Sequence, residues 1–314
     1  MIMKHFRKFL AVMISACLLT GCGSTAQNSG TESAEHMSSI PEEKSLVTLG
    51  DSISFGYGME DVTTQRYSAY LAEKLHSRDK LKWNDYNYAV SGDNSSDLIR
   101  KLNNGRALHA PSADAIILYI GANNLLGAYG DYIIEKAEEK GIDVSHPESL
   151  TDEELEDIQK QFEDEMQDTD AVKEAVQKKI DENLVQLDAD LETIYQWIRD
   201  RNDKADVYVL NIYNPYPEGL ASDLIPENTD LAGYAQSQID RANEIIADLT
   251  AKHDDLIPVD IAAAFAACDP LPVIGTANAE TTDGDAFEYY DPHPNAEGQK
   301  IIADAVWKVM EPRK

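Results

Sequence analysis

Cysteine is scarce in this chain, 3 among 314 residues. Two of the three, Cys17 and Cys22, precede the first segment with a core-like pattern, so Cys268 has no partner left. A disulfide framework is excluded, and Cys268, behind Ile261 and a run of alanines, reads as a small buried apolar residue. Basic side chains are also few: 27 Lys and Arg stand against 57 Asp and Glu, a formal charge of −30. A field of that sign repels phosphate backbones and large polyanions, which argues against nucleic acid as a partner. Clustered metal ligands are missing as well. His253 and His293 have no cysteine or carboxylate set at ligand spacing, so no metal and no cofactor is expected. The glycines show neither P-loop nor dinucleotide-binding spacing, and no internal repeat is visible.

Only the start of the chain carries a long apolar run. Lys4, His5, Arg7 and Lys8 precede an apolar stretch from Phe9 to Leu19, too short to span a bilayer and suited to an export signal. Leu19-Thr20-Gly21-Cys22 resembles the lipobox of bacterial lipoproteins. That resemblance implies cleavage before Cys22 and lipidation of its thiol. The mature protein would then lie outside the cytoplasm, tethered to the bacterial cell membrane by acyl chains. Residues 1–21 form the expected signal peptide and 22–44 a lipidated cysteine with a flexible linker of Gly, Ser, Thr, Glu and Gln. Residues 45–314 form one large α/β domain.

That domain is organised around Ser45 to Gly56. A β-branched and apolar run, Leu46-Val47-Thr48-Leu49, stops abruptly at Gly50-Asp51-Ser52 and passes into polar residues and glycines. This predicts a buried first strand delivering a serine at its carboxyl end, where open α/β sheets build their binding sites. Two later segments repeat the pattern. A strand over Trp83–Val90 is followed by Ser91-Gly92-Asp93-Asn94, and the continuously apolar Ala115–Ile120 by Gly121-Ala122-Asn123-Asn124. Three strand ends rich in small polar residues should therefore open on one edge of a parallel sheet.

Between and after these strands the periodicity predicts helices over about 65–76, 97–103, 131–140, 171–200, 231–252 and 296–310. Further strands are expected at Asp206–Ile212 and Leu256–Asp260, and residues 268–289 read as irregular, with Pro270, Pro272, Gly275 and Gly284. The acidic stretch over about 128–180 exceeds a minimal crossover and reads as a helical insertion. Within it Thr151 and Glu154 form a capping box ahead of a stripe of Leu155, Ile158, Phe162 and Met166. A rim elaboration or a lid beside the Asn123 strand end are both compatible with it.

His293 carries the chain from architecture to chemistry. Pro292 and Pro294 freeze the backbone on either side, and Asp291 stands two positions before it. An imidazole can take the proton of a serine hydroxyl, and a carboxylate can fix its tautomer. At this point the sequence resembles the SGNH or GDSL hydrolases, in four dispersed blocks between about residues 45 and 310. Gly50-Asp51-Ser52-Ile53-Ser54 matches the nucleophile block, Gly92 the glycine block, Asn123 the asparagine block, and His293 in Asp291-Pro292-His293-Pro294-Asn295 the last block.

The resemblance implies a three-layer α/β/α, flavodoxin-like domain with a parallel five-stranded sheet and hydrolysis of carboxylic esters. Ser52 would be the nucleophile and His293 the base. The Ser52 and Gly92 amides with the Asn123 side chain would form the oxyanion hole. Two positions depart from the family pattern. Asn124 stands where an aspartate usually follows the asparagine, and Tyr290 stands where the triad aspartate usually lies, three residues before the histidine. Asp291 is then the favoured partner of His293, the alternative being a Ser-His dyad oriented by a backbone carbonyl. The expected partner is an ester substrate, a lipid or small acyl ester. The competing readings are a carbohydrate O-acetylesterase and an inactive lipoprotein that binds glycans or lipids.

Overall fold

The structure, a computed structural model, describes residues 43–139, 141, 169–220, 230–280 and 286–311. Cys22 and the capping box at Thr151 with its apolar stripe lie outside these residues. Strand β1 (Glu43–Gly50) runs into a one-turn helix α1 (Ser52–Phe55), then α2 (Val62–Gln65) and α3 (Tyr67–Asp79). Next come β2 (Lys82–Asn87), α4 (Ser95–Asn103), β3 (Ala115–Tyr119), α5 (Ala122–Leu126) and α6 (Ala128–Glu139). The chain continues through α7 (Thr169–Arg199), β4 (Asp206–Leu210), α8 (Leu231–Lys252), β5 (Leu256–Val259) and α9 (Ile261–Ala266). A hairpin, β6 (Val273–Glu280) with β7 (Ala286–Pro294), precedes the last helix, α10 (Ala296–Met310).

Strands β1 to β5 form one five-stranded sheet in the order β2-β1-β3-β4-β5, with every pairing parallel. Parallel neighbours need a crossover, and the helices that provide it cover both faces. Alternation along the strands divides the core accordingly. Val47, Leu49, Ile116, Leu118, Val207 and Val209 pack with α4, α7 and α8. Leu46, Ala115, Ile117, Tyr119, Tyr208 and Leu210 pack with α3, α9 and α10 on the other side. The protein is thus a three-layer α/β/α domain. All five residues of β3, the middle strand, are buried.

The expected elements recur with small shifts, and α8 and α10 match their expected limits. Residues 268–289 are a correction. They contain most of an antiparallel hairpin, in which Gly275 pairs with Asp291 and Thr276 with Tyr290. Of the residues that read as irregular, Pro270 and Pro272 precede the ribbon, Gly275 sits inside it at φ 73° beside a register shift, and Gly284 lies outside the described residues. Cys268 is half-buried rather than buried. It follows the short α9, and its thiol donates to the Ala264 carbonyl, 3.3 Å away. Among the described residues, no helix is long and apolar enough to cross a membrane.

Candidate active site

Strand β1 must end in glycine. A Cβ at Gly50 would lie 2.3 Å from the Tyr119 carbonyl oxygen and 2.4 Å from Ser54 Oγ, inside any tolerable contact. The next residue turns the chain: Asp51 caps α1 by accepting from the Ile53 amide at 3.0 Å, and Gly56 closes it at φ 89°. Ser52 is held on this tight turn, 7% exposed, at the carboxyl edge of the sheet. Asp51 is fully buried with Oδ2 unpaired, and desolvation raises its carboxyl to about 7 against the pull of its hydrogen bonds. The α1 turn is braced on three sides. Ser54 Oγ meets Tyr67 Oη at 2.7 Å, Asn87 Nδ2 donates to the Ser54 carbonyl at 2.7 Å, and Gln299 Nε2 donates to the Ile53 carbonyl at 3.1 Å.

His293 comes from β7. Its Nε2 lies 2.8 Å from Ser52 Oγ, and its Nδ1 lies 2.6 Å from Asp291 Oδ1. The same carboxylate oxygen accepts from the His293 backbone amide at 2.9 Å. Residues two apart on a strand face the same side, so an aspartate at this spacing reaches the imidazole because the segment is extended. Asp291 is 4% exposed, and the Tyr57 ring lies 4.3 Å from the imidazole. Tyr290, where the family aspartate usually stands, points elsewhere and donates to the Pro215 carbonyl at 2.7 Å. Tyr213 Oη donates to the Pro292 carbonyl at 2.9 Å, so the β4 exit loop and the histidine strand are tied at two points.

Asn123, one residue into α5, donates from Nδ2 to the Asp93 carbonyl at 2.9 Å. This joins the β3 exit to the β2 exit, where Gly92 adopts φ 84° in an exposed turn. Asn124 supports the same two loops. Its Nδ2 donates to Ser95 Oγ at 2.8 Å and its Oδ1 accepts from the Ser95 amide at 3.1 Å. Ser95 and Ser96 in turn donate to Asp190 of α7 at 2.7 and 2.5 Å. An amide at position 124 thus braces the loops from β2 and β3 against α7.

Ser52, Asn123 and His293 line one cavity of about 170 Å³, together with Tyr119, Tyr213 and side chains of α5, α7 and α8. Gly92 is outside its wall. Sequence reasoning passed over Tyr57, Gln299 and the tyrosine ties, since none stands in a motif. The glycines on either side of Tyr57 were the one local sign of a tight turn there.

A three-layer α/β/α domain with serine, imidazole and carboxylate in hydrogen-bonded series at the carboxyl edge of its parallel sheet defines a serine-type hydrolase. The chain belongs to the GDSL-like lipase/acylhydrolase family, whose model matches residues 48–301. It is a carboxylic ester hydrolase of that type. The uncharacterized protein YpmR of Bacillus subtilis (strain 168) is 22% identical over 307 residues, which are 97% of this chain and 96% of that protein. Among solved structures, the extracellular lipase of Streptomyces rimosus matches with a TM-score of 0.54 at 19% identity, covering 86% of this chain and 100% of the lipase. An acetyl-xylooligosaccharide esterase of Geobacillus stearothermophilus, crystallised as a mutant, matches with a TM-score of 0.52 at 16% identity, covering 86% and 94%. These two likenesses are of fold.

Proposed function

We propose that Ser52 is the nucleophile of an acyl-enzyme mechanism, with His293 as general base and Asp291 orienting it. Ser52 Oγ attacks the ester carbonyl carbon while its proton passes to His293 Nε2. Asp291 holds the proton on Nδ1 and balances the imidazolium that forms. Negative charge on the carbonyl oxygen is received by the Ser52 amide and the Asn123 side chain, with the Gly92 amide, on the neighbouring turn outside the cavity wall, as the third donor that the family resemblance implies. One Asn123 N–H is engaged by the Asp93 carbonyl, and the other is left for the oxyanion. The alcohol leaves with the proton from His293, and water, activated by the same imidazole, releases the acid. The observation that carries this reading is the unbroken series Ser52 Oγ to His293 Nε2 at 2.8 Å and His293 Nδ1 to Asp291 Oδ1 at 2.6 Å.

The test is para-nitrophenyl ester hydrolysis together with labelling by a serine-reactive phosphonate. Ser52→Ala is expected to abolish labelling and lower kcat by at least about 10³–10⁴-fold. Labelling that survives in Ser52→Ala refutes the assignment and returns the protein to a binding role.

We further propose that residues 1–21 are removed as a signal peptide and that Cys22 is lipidated. The residues from Cys22 up to the first strand, which starts at Glu43 rather than at residue 45, then tether the domain to the outer side of the cell membrane. The basic start, the apolar run and the Leu19-Thr20-Gly21-Cys22 motif support this. Metabolic incorporation of labelled palmitate into the wild type, lost in Cys22→Ser, is the expected result. Wild-type protein that carries no label overturns it.

A further inference from the structure

Apart from Ser52, His293, Tyr119 and the β4 exit loop with Ile212, Pro215 and Tyr216, the cavity is lined chiefly by three helices. Leu125 and Leu126 come from α5, Ile180 from α7, and Leu231, Ala235 and Ile239 from one face of α8. Two polar residues of the α7–α8 side, Tyr234 and Gln238, also line it, yet their hydrogen-bonding capacity is used elsewhere. Tyr234 Oη donates to Gln177 Oε1 at 3.0 Å. The Gln238 amide donates to Gln177 Oε1 at 3.3 Å and to Ser237 Oγ at 3.1 Å, and its oxygen accepts from Gln177 at 3.2 Å and from Arg241 at 2.8 Å. Arg241 also pairs with Asp181 of α7 at 2.8 Å. This cluster bolts α7 to α8 and turns its polar atoms away from any guest. The lobe therefore offers methyl and methylene surface, and a sugar hydroxyl placed against it would lose its hydrogen bonds without replacement.

Resting on the assignment of Ser52 and His293 above, we propose that this helical lobe receives the acyl chain of the substrate. The chain is of medium length, about six methylene-sized groups beyond the ester carbonyl, given a cavity of about 170 Å³ and about 30 Å³ for a group the size of a water molecule. Ala235 sets the depth. It is the smallest side chain of the α8 wall, one turn from Leu231 and one from Ile239. The Gln177–Gln238–Tyr234 cluster keeps the two helices from parting to admit longer chains.

Each buried methylene is worth roughly a factor of four, so burying even three beyond the acetyl methyl favours octanoate by about 60-fold. The test compares kcat/KM for para-nitrophenyl octanoate and acetate in the wild type and in Ala235→Phe. Ile180→Phe, from the facing helix, is a second obstruction, and thermal melting checks that both variants fold. The expected result is an octanoate-to-acetate ratio of at least about 10 in the wild type, reduced at least tenfold in each variant that folds. A wild-type preference for acetate, or a ratio unmoved by either obstruction, overturns the acyl lobe. Calorimetric binding of octanoate but not acetate to the wild type reads the lobe without catalysis. Binding with no hydrolysis of either ester refutes the assignment of Ser52 and His293 and leaves the lobe standing, whereas hydrolysis with no octanoate binding refutes the lobe.

Discussion

Asp291→Asn isolates the role of one charge. The substitution keeps the shape of a side chain that is only 4% exposed, and an amide oxygen can still accept from both His293 donors, so the imidazole stays in place. What disappears is the negative charge 2.6 Å from Nδ1, which acts when His293 becomes cationic in the transition state. With an effective dielectric of about 20, unit charges at that separation interact by about 6 kcal/mol, or some four decades in rate. The expected outcome is a fall in kcat of about 10⁴-fold with KM little changed. The assay is steady-state hydrolysis of a para-nitrophenyl ester, with the titre of phosphonate-reactive serine confirming that equal amounts of folded enzyme are compared. Asp291→Ala should fall at least as far. Asp291→Asn retaining more than about a tenth of the wild-type kcat would refute the reasoning and make the enzyme a Ser-His dyad.

Three further outcomes follow from the same geometry. Burial keeps Asp51 protonated up to about 7 in the fold, while the unfolded chain ionises near 3.8. The folded state therefore holds its full advantage below about pH 4 and loses up to about 4 kcal/mol as pH rises towards 7. Asp51→Asn should gain on the wild type between pH 4 and pH 8 in urea-unfolding midpoints, and parallel pH curves would contradict this. Asn123→Ala should lower kcat about 10²–10³-fold and cost about 1 kcal/mol through its lost bond to the Asp93 carbonyl; a variant of unchanged kcat would remove Asn123 from the oxyanion site. Gln299→Leu leaves the buried Tyr67 amide unpaired and takes from the Ile53 carbonyl one of its two donors, the Gly56 amide remaining at 3.2 Å. A loss of roughly 1–3 kcal/mol in chemical denaturation is expected, and a change below about 0.5 kcal/mol would show that water replaces it.

The sheet and its long helices were legible because their signals are local and strong. Ala115 to Tyr119 has no polar residue to confuse a buried strand, and Leu231–Lys252 repeats its apolar side chains at helical spacing across six turns. The hairpin of β6 and β7 was not legible. Its pairing joins Gly275 to Asp291 across an intervening stretch, a long-range contact that no window of sequence contains. For the same reason the importance of Asp291 could be read from its nearness to His293 but not from its geometry, which depends on that segment being extended. Asn123 was singled out, yet its tether to Asp93 was not, since it links two loops about thirty residues apart. Tyr290 stood out only as a departure from the family pattern, and the ties made by Tyr213, Tyr290 and Gln299 join distant elements that no local window contains.

The base and its carboxylate ride on a two-stranded ribbon, whereas the serine belongs to the main sheet. Native proteins open in parts, and small ribbons open more readily than a covered central sheet. Warming should thus silence esterase activity while the far-ultraviolet dichroism of the five-stranded body is still intact, and cooling should restore it. For anyone storing or engineering this enzyme, the temperature at which it stops working is then expected to follow the attachment of β6 and β7, and strengthening the central strands to leave that temperature where it is.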